Sequence, residues 1–306
     1  MITVSHLTKS YGKRTVVDDL SFELAAGRIT GFVGPNGAGK STTMRMMVGL
    51  ARPDSGDVTF GGLHYADLRD PARTVGVVLD ARAMHPGRSA RNHLLALAQT
   101  NGIGRHRVDE VIDMVGLQDV AAKRVGGFSL GMGQRLGVAS ALLGRPQTVA
   151  LDEPVNGLDP EGVLWMRTML KDLADDGHTV FVSSHLMSEM AQTATRLVVV
   201  GRGRLIADTT VAEFVASAGG HTVLVRTPEA DRLGTLLAGP DVTINRQDPE
   251  VLLVEGLTTR AIGAIAHQGA VAVYELTDQR TSLEDAFMEL TQDSVEYHAK
   301  PAAVSS

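Results

Sequence analysis

The segment GFVGPNGAGKST, at residues 31–42, constrains the fold of this chain more than any other stretch. It is a short apolar strand, followed by a glycine-rich turn and then by the start of a helix. The turn fits the pattern G-x-x-x-x-G-K-[ST], with Gly34, Gly39, Lys40 and Ser41 at the fixed positions. A strand, loop and helix of this kind form a compact unit that cradles phosphate groups.

The chemistry of this loop predicts a bound nucleoside triphosphate. Bare backbone N–H groups wrap the phosphates, Lys40 reaches the β and γ oxygens, and the Ser41 hydroxyl can ligate Mg²⁺. The residues expected to contact the nucleotide are Gly34, Pro35, Asn36, Gly37, Ala38, Gly39, Lys40, Ser41 and Thr42. Kinases, GTPases, helicases and transport ATPases share this loop, so it predicts nucleotide binding but not the class of enzyme.

Composition excludes several other kinds of site. The chain has no cysteine, which rules out disulfides, thiolate zinc sites and cysteine nucleophiles. A net charge of −6 argues against a nucleic-acid partner, because nucleic-acid binders usually present a basic face. No run of eighteen apolar residues occurs, so no membrane span is expected. Any membrane role must therefore come through a partner.

The pattern of strands and helices predicts an α/β domain over residues 1–218. Segments 2–8 and 16–24 alternate like strands, VGVVL (75–79) and TVALD (148–152) read as buried strands, and 89–144 reads as mostly helical. A helix is expected from Pro160, with Asp159 as its cap. This alternation predicts a mostly parallel central sheet flanked by a smaller antiparallel part.

A second domain is predicted over residues 219–294. ASAGG (216–220) reads as a linker, and the elements after it follow a β-α-β-β-α-β order that matches a ferredoxin-like α+β domain. A last helix, TSLEDAFMELT, places Leu283, Phe287 and Leu290 on one face. The tail at residues 295–306 is expected to be loose.

TVALDEP ends a buried strand with two adjacent carboxylates. Asp152 is positioned to hold Mg²⁺ through water, and Glu153 can polarise a water molecule for attack on the γ-phosphate. Alternatively, Asp-Glu-Pro is only a turn after a strand. The phosphate loop upstream in the same sheet favours the catalytic interpretation.

Two further polar positions fit the same site. Ser129 reads as the N-cap of a long helix with Gly131 in its first turn, and a helix N-terminus binds anions. An ordinary capped helix is the alternative. His185 follows the apolar strand HTVFVSS, where an imidazole can reach a γ-phosphate, although a lone histidine there is more often structural or solvated.

Taken in order, these motifs resemble those of the ATP-binding subunits of ABC transporters. GPNGAGKS is similar to the Walker A motif, FSLGMGQ to the family signature, VALDEP to Walker B, NGLDP to the D-loop and SSH to the switch-histidine motif. The resemblance covers residues 1 to about 215. Tyr11 occupies the place where family members stack an aromatic ring on adenine, although a tyrosine can also simply end a strand.

The resemblance implies a P-loop ATPase fold with an antiparallel N-terminal subdomain and a helical signature subdomain. It also implies a head-to-tail homodimer with ATP and Mg²⁺ sandwiched between Walker A of one subunit and the signature helix of the other. The catalytic residues would be Lys40, Glu153 and His185. Membrane-spanning permease subunits would be separate chains, which predicts a peripheral location on the cytoplasmic face of the cell membrane.

The sequence departs from the family pattern at two places. The usual signature is Leu-Ser-Gly-Gly-Gln, whereas residues 128–132 read FSLGM, so Leu130 replaces a glycine. Asp80 stands where the family normally has a glutamine that touches Mg²⁺ and the attacking water. We expect Asp80 to act as a metal or water ligand, and the alternative is a surface-loop residue.

Both departures are similar to those of bacterial drug and antibiotic exporters of the daunorubicin-resistance type. The predicted function is therefore ATP hydrolysis that drives efflux of a drug, antibiotic or lipid-like substrate through a separate permease. One alternative is the ATPase of an importer. Another is a non-transport relative that acts on ribosomes or DNA, which a single Walker A motif and the absence of cysteine disfavour.

Overall fold

The computed structural model describes residues 1–80, 83–218, 222–279 and 287. Its strands are β1 (Ile2–Tyr11), β2 (Arg14–Leu24), β3 (Arg28–Val33), β4 (Ser55–Phe60), β5 (Val75–Val78), β6 (Thr148–Asp152), β7 (Thr179–Ser184), β8 (Arg196–Gly201), β9 (Arg204–Thr210), β10 (Thr222–Arg226), β11 (Thr243–Asp248), β12 (Val251–Glu255) and β13 (Glu275–Gln279).

The α-helices of the described residues alternate with these strands. They are α1 (Lys40–Met47), α2 (Pro71–Thr74), α3 (Ala90–Thr100), α4 (Arg105–Met114), α5 (Leu130–Leu142), α6 (Pro160–Asp175), α7 (Met187–Thr193), α8 (Val211–Ala218), α9 (Ala230–Leu237) and α10 (Thr259–Gln268). The chain divides into two compact units between Val211 and Ala212, a few residues before the predicted start of the second domain at 219. The boundary at 218 stays a prediction.

The first unit is built on a six-stranded sheet of order β5-β6-β7-β3-β8-β9. All neighbouring strands in it are parallel except β8 and β9, as the apolar runs at 75–79 and 148–152 predict. Since β3, β6 and β7 lie in adjacent or next-adjacent positions, the loops that leave their carboxyl ends meet at one edge. Ligands bind at such an edge in open α/β sheets.

A smaller antiparallel sheet of order β2-β1-β4 completes this unit, as predicted. Three buried aromatic rings join it to the large sheet. Phe22 of β2 packs on Phe32 of β3 and Phe181 of β7 with centroid distances of 5.6 and 5.7 Å, and the rings of Phe32 and Phe181 are 5.1 Å apart. Rings at these separations gain offset or edge contacts beyond their burial.

The predicted helices of this unit are found where the capping residues indicate. The segment 89–144 forms α3, α4 and α5, and the Ser129 hydroxyl accepts a hydrogen bond from the Met132 N–H at 3.2 Å at the start of α5. Asp159 caps α6 through the Gly162 N–H at 2.9 Å. An N-cap bond satisfies one of the four N–H groups that a helix start leaves unpaired.

The second unit has an antiparallel four-stranded sheet of order β11-β12-β10-β13. Its elements occur in the predicted β-α-β-β-α-β order. Apolar side chains that alternate along the two central strands pack against the two helices, α9 and α10; the buried members include Val223, Val225, Leu233, Leu237, Leu252, Val254 and Ile262. The alternation of these side chains is the signal that made the strands predictable.

Two local predictions in this region are wrong. Residues 216–218 end α8 and therefore do not form a linker. The predicted strand AVAVYEL begins only at Glu275, because Ala270 has a positive φ of 50° and the Val271 N–H bonds the Ala266 carbonyl at the end of α10. Of the predicted last helix, Phe287 is helical and buried, whereas Leu283, Leu290 and the tail lie outside the described residues.

Candidate active site at the carboxyl edge of the sheet

The phosphate loop spans residues 34–39 between the end of β3 and the start of α1. Two of its glycines are required by their surroundings. A Cβ atom at Gly34 would lie 2.3 Å from the Val200 carbonyl oxygen, and one at Gly39, which has a φ of +98°, would lie 2.5 Å from that of Val16. These contacts hold the loop tightly against the neighbouring strands, and loops of this kind bind anions through backbone N–H groups.

Lys40 points back over the loop and is 6% exposed. Its ammonium donates to the Gly34 carbonyl at 2.7 Å and to the Pro35 carbonyl at 3.3 Å. Burial lowers the pKa of Lys40 below its usual 10.5, while the nearby carboxylates of Glu153 and Asp152 oppose that shift. A desolvated cation at the mouth of an N–H-lined loop is suited to anionic oxygens.

Glu153 lies between Lys40 and His185. One carboxylate oxygen, Oε1, is 3.8 Å from the Lys40 Nζ, and the other, Oε2, is 2.8 Å from the His185 Nδ1. The Glu153 side chain is 20% exposed, so water still reaches it. The fold thus brings together three residues that the sequence places at 40, 153 and 185, as the strand order requires.

Ser183 is a functional candidate that the sequence analysis missed. Its hydroxyl accepts a hydrogen bond from the Glu153 N–H at 2.9 Å and donates one to the Asp152 carboxylate. Ser183 is completely buried at the end of β7, and this strand pairs with β6 so that Asp152 faces Ser183. A polar pair at the end of an otherwise apolar strand, TVFVSS, was the available signal.

The donors at this edge are oxygen atoms, which Mg²⁺ prefers. Ser41 lies half-buried in the first turn of α1, and Asp152 ends β6. Asp80 is exposed just beyond β5, the strand next to β6. The residue therefore lies at the same edge of the sheet as Asp152. Whether it ligates a metal stays a prediction.

A cavity of about 300 Å³ adjoins the phosphate loop. It is lined by Arg14, Thr15, Val16, Pro35, Asn36, Gly37, Ala38 and Arg202. Tyr11 does not line it but pairs with Arg14 across the β1–β2 hairpin. The Tyr11 ring is 53% exposed, with the Lys9 ammonium 5.5 Å from its centroid. Its stacking on a base stays a prediction.

The signature segment lies apart from these residues. Among the hydrogen bonds and ion pairs of the described residues, none joins Ser129 or Gly131 to the phosphate loop. Gly131 instead approaches Leu158, whose Cδ2 would lie 3.3 Å from a Cβ at that glycine. That the helix N-terminus at Ser129 binds an anion stays a prediction.

Fold and site together define a P-loop ATPase: a phosphate-binding loop on β3, with a buried lysine facing a carboxylate on β6 and an imidazole after β7. A family model described as ABC transporter matches residues 17–156. A second, described as a domain of unknown function (DUF8746), matches residues 221–284.

Two of the curated relatives described here match almost the whole chain, and a third matches two thirds of it. An uncharacterized ABC transporter ATP-binding protein, YhcH of Bacillus subtilis, is 34% identical over 97% of both chains. The linearmycin resistance ATP-binding protein LnrL of the same organism is 31% identical over 95% of this chain and 98% of its own. The bacitracin transport ATP-binding protein BcrA of Bacillus licheniformis is 42% identical over 67% of this chain and 68% of its own.

Solved structures agree with the fold. A dimeric bacterial ABC transporter cassette is 25% identical and superposes with a TM-score of 0.63 over 69% of this chain and 99% of its own. The chain belongs to the ABC transporter ATP-binding family, and it is an ATP-hydrolysing subunit. Among the helices in the described part of the chain, none is long and apolar enough to cross a membrane.

Proposed function

We propose that this chain powers an exporter of antibiotic-like substrates as a head-to-tail homodimer attached to a separate membrane permease. The observation that carries the catalytic part is the Glu153 carboxylate, which lies between the Lys40 ammonium at 3.8 Å and the His185 imidazole at 2.8 Å. These groups would surround the γ-phosphate of a nucleotide held by the phosphate loop.

In the proposed reaction, a water oxygen attacks the γ-phosphorus in line with the bond to ADP. The Glu153 carboxylate accepts the proton of that water, and ADP leaves with the bridging oxygen. Lys40 donates to the β and γ oxygens, and His185 orients Glu153 through the 2.8 Å contact. Mg²⁺, held by Ser41 and Asp152 and approached by Asp80, would neutralise phosphate charge.

The dimer is proposed because the Ser129-capped helix makes no contact with its own phosphate loop among the described hydrogen bonds. In a second subunit turned head to tail, the N–H groups near Ser129 and Gly131 would face that loop's nucleotide. Tyr11 would stack on the adenine ring. ATP would then join the subunits, and hydrolysis would release them at the cytoplasmic face of the membrane.

Export is proposed from the named functions of the relatives. BcrA is named for bacitracin transport, SrtF of Streptococcus pyogenes for lantibiotic transport, and LnrL for linearmycin resistance. LnrL matches this chain over 95% of its length, which includes the second unit. An importer's ATPase remains the second candidate, and a permease accompanied by an extracellular binding protein would favour it.

Glu153→Gln tests the proposal, because the amide keeps the shape of the carboxylate but cannot take a proton. We expect turnover to fall about 10²–10⁴-fold, with ATP binding retained and an ATP-dependent dimer visible by gel filtration. The matched control is Glu189→Gln, which removes an equally buried glutamate paired with Arg167.

The export part is tested in cells that express the chain with the permease encoded beside it. Resistance to bacitracin, a lantibiotic or linearmycin should rise and should be lost in the Glu153→Gln variant. Unchanged turnover in Glu153→Gln would remove Glu153 from its role. Resistance that does not depend on the chain would reject export of these compounds.

A further inference from the structure

The substituted signature residue Leu130 packs directly on Gly157 of the loop that follows Glu153. A Cβ atom at Gly157 would lie 2.0 Å from the Leu130 Cδ2 and 2.9 Å from its Cγ. Only a residue without a side chain therefore fits under Leu130. To relieve the overlap, the Leu130 side chain must turn about its Cα–Cβ bond and give up this contact, or the loop that carries Gly157 must move.

A second contact runs in the opposite direction between the same two segments. Leu158 lies against Gly131, with its Cδ2 3.3 Å from the position of a Cβ there. Each segment thus places one leucine against one glycine of the other. Such paired large and small residues fix two segments in register, because a slip of either would create a clash or a cavity.

The loop under Leu130 is linked to the catalytic carboxylate over a short distance. The Asn156 amide donates to the Glu153 Oε2 at 3.5 Å, and its backbone N–H donates to the Glu153 carbonyl at 3.2 Å. Asn156 immediately precedes Gly157 in the chain. A displacement of Gly157 is therefore passed to the oxygen of Glu153 that also contacts His185.

We infer that Leu130 is a positioning residue, which ties the anion-binding end of α5 to the Glu153 carboxylate of the same subunit. This inference rests on the proposed roles of Glu153 as the base and of α5 as the clamp on the partner's nucleotide. Closure of the clamp on one nucleotide thereby aligns the base at the other. The leucine that replaces the usual signature glycine provides this contact.

Gly157→Ala tests the inference by forcing Leu130 and the loop apart. A shift of about 1 Å at a reacting group can cost roughly 100-fold in rate, so we expect kcat to fall about 10- to 100-fold. The KM for ATP should change less than about threefold, because the phosphate loop is untouched. Shortening the leucine makes room, so Leu130→Ala combined with Gly157→Ala should regain the kcat of Leu130→Ala alone, within about threefold.

Gly102→Ala is the matched control for backbone strain. Gly102 has a φ of +63°, close to the +73° of Gly157, but a Cβ there would meet no atom within 4 Å. Thermal unfolding of both variants then shows how much stability is lost to backbone strain alone, in Gly102→Ala, and how much more is lost when Leu130 is displaced, in Gly157→Ala. If Gly157→Ala does not fold, Leu130→Ala alone carries the test, since it should lower kcat without changing KM.

The inference is overturned if Gly157→Ala keeps the kcat of Gly102→Ala, or if the kcat of the double variant falls more than about threefold below that of Leu130→Ala alone. In the fallback case, an unchanged kcat in Leu130→Ala overturns it. Glu153→Gln is assayed alongside. If that variant hydrolyses ATP normally, the proposed site is wrong; if it is inactive, a failed rescue counts against the contact between Leu130 and Gly157 alone.

Discussion

Replacing Ser183 by alanine should lower both the unfolding temperature of the chain and its rate of ATP hydrolysis. The hydroxyl accepts from the Glu153 N–H at 2.9 Å and donates to the Asp152 carboxylate, and none of the residue is exposed. Removing the oxygen leaves a partly buried N–H without its acceptor and a carboxylate without a donor. Both groups belong to the residues proposed to hold the metal and activate water.

The cost in stability follows from the groups left unpaired. A buried polar group that loses its partner costs about 1–3 kcal/mol. In a folding unit of 150–250 residues, each kcal/mol lowers the unfolding temperature by about 2–4 °C. We therefore expect a drop of several degrees, together with a kcat lowered about 10- to 100-fold because Glu153 is no longer held in place.

Thr227→Val is the matched control, because Thr227 makes the same pair of bonds in the second unit. It is also fully buried, donates to the Ala272 carbonyl at 2.7 Å and accepts from the Glu229 N–H at 3.1 Å. Steady-state ATP hydrolysis and thermal unfolding are measured for both variants at saturating ATP. If Ser183→Ala loses stability like Thr227→Val but keeps kcat within twofold, Ser183 only supports the fold.

Three further predictions concern Lys40, Asp80 and the second unit. The pKa of Lys40 is lowered in the folded chain, so between that pKa and 10.5 the unfolded chain binds more protons than the folded one. The free energy of unfolding should therefore rise with pH in this window. Urea unfolding at several pH values should show this contribution in the parent chain and not in Lys40→Met. Asp80→Ala should lower ATPase activity far more than ATP affinity, and Asp80→Gln should be tolerated better; parent-like activity in both would make Asp80 a plain loop residue. A chain ending near Gly219 should still bind ATP in a filter assay, while dimer formation or export weakens. If the shortened chain folds but does not bind ATP, the predicted domain boundary is wrong.

The parallel sheet was predictable because its signals are local. Each buried strand is a continuous apolar run, and the phosphate loop, the Asp152–Glu153 pair and His185 each directly follow one of them. The helix starts at Ser129 and Asp159 were marked by capping residues. β9 was missed because it is an edge strand whose residues are half-buried or exposed, so RLIADTT shows no apolar run.

The missed parts of the site depend on pairing between distant strands. Ser183 contacts Asp152 because β6 and β7 are neighbouring strands whose register pairs these two residues. No local sequence pattern predicts that register. The contact between Leu130 and Gly157 likewise joins the start of α5 to a loop that is distant in sequence, and only the folded chain defines their proximity. The linker prediction failed at residues 216–218, where α8 continues from the buried Phe214.

The backbone of Glu153 shows what this arrangement requires of the fold. Glu153 has a φ of +48°, in the left-handed region that glycine favours, and such a conformation costs about 1–3 kcal/mol in other residues. The Ser183 hydroxyl bonds the Glu153 N–H, and the Glu153 carbonyl accepts from Asn156. These two bonds offset part of the strain, and the side chain of Glu153 contacts Lys40 and His185. A glycine would relieve the backbone but remove the carboxylate, so the chain accepts a strained glutamate at the point where the reaction needs a base.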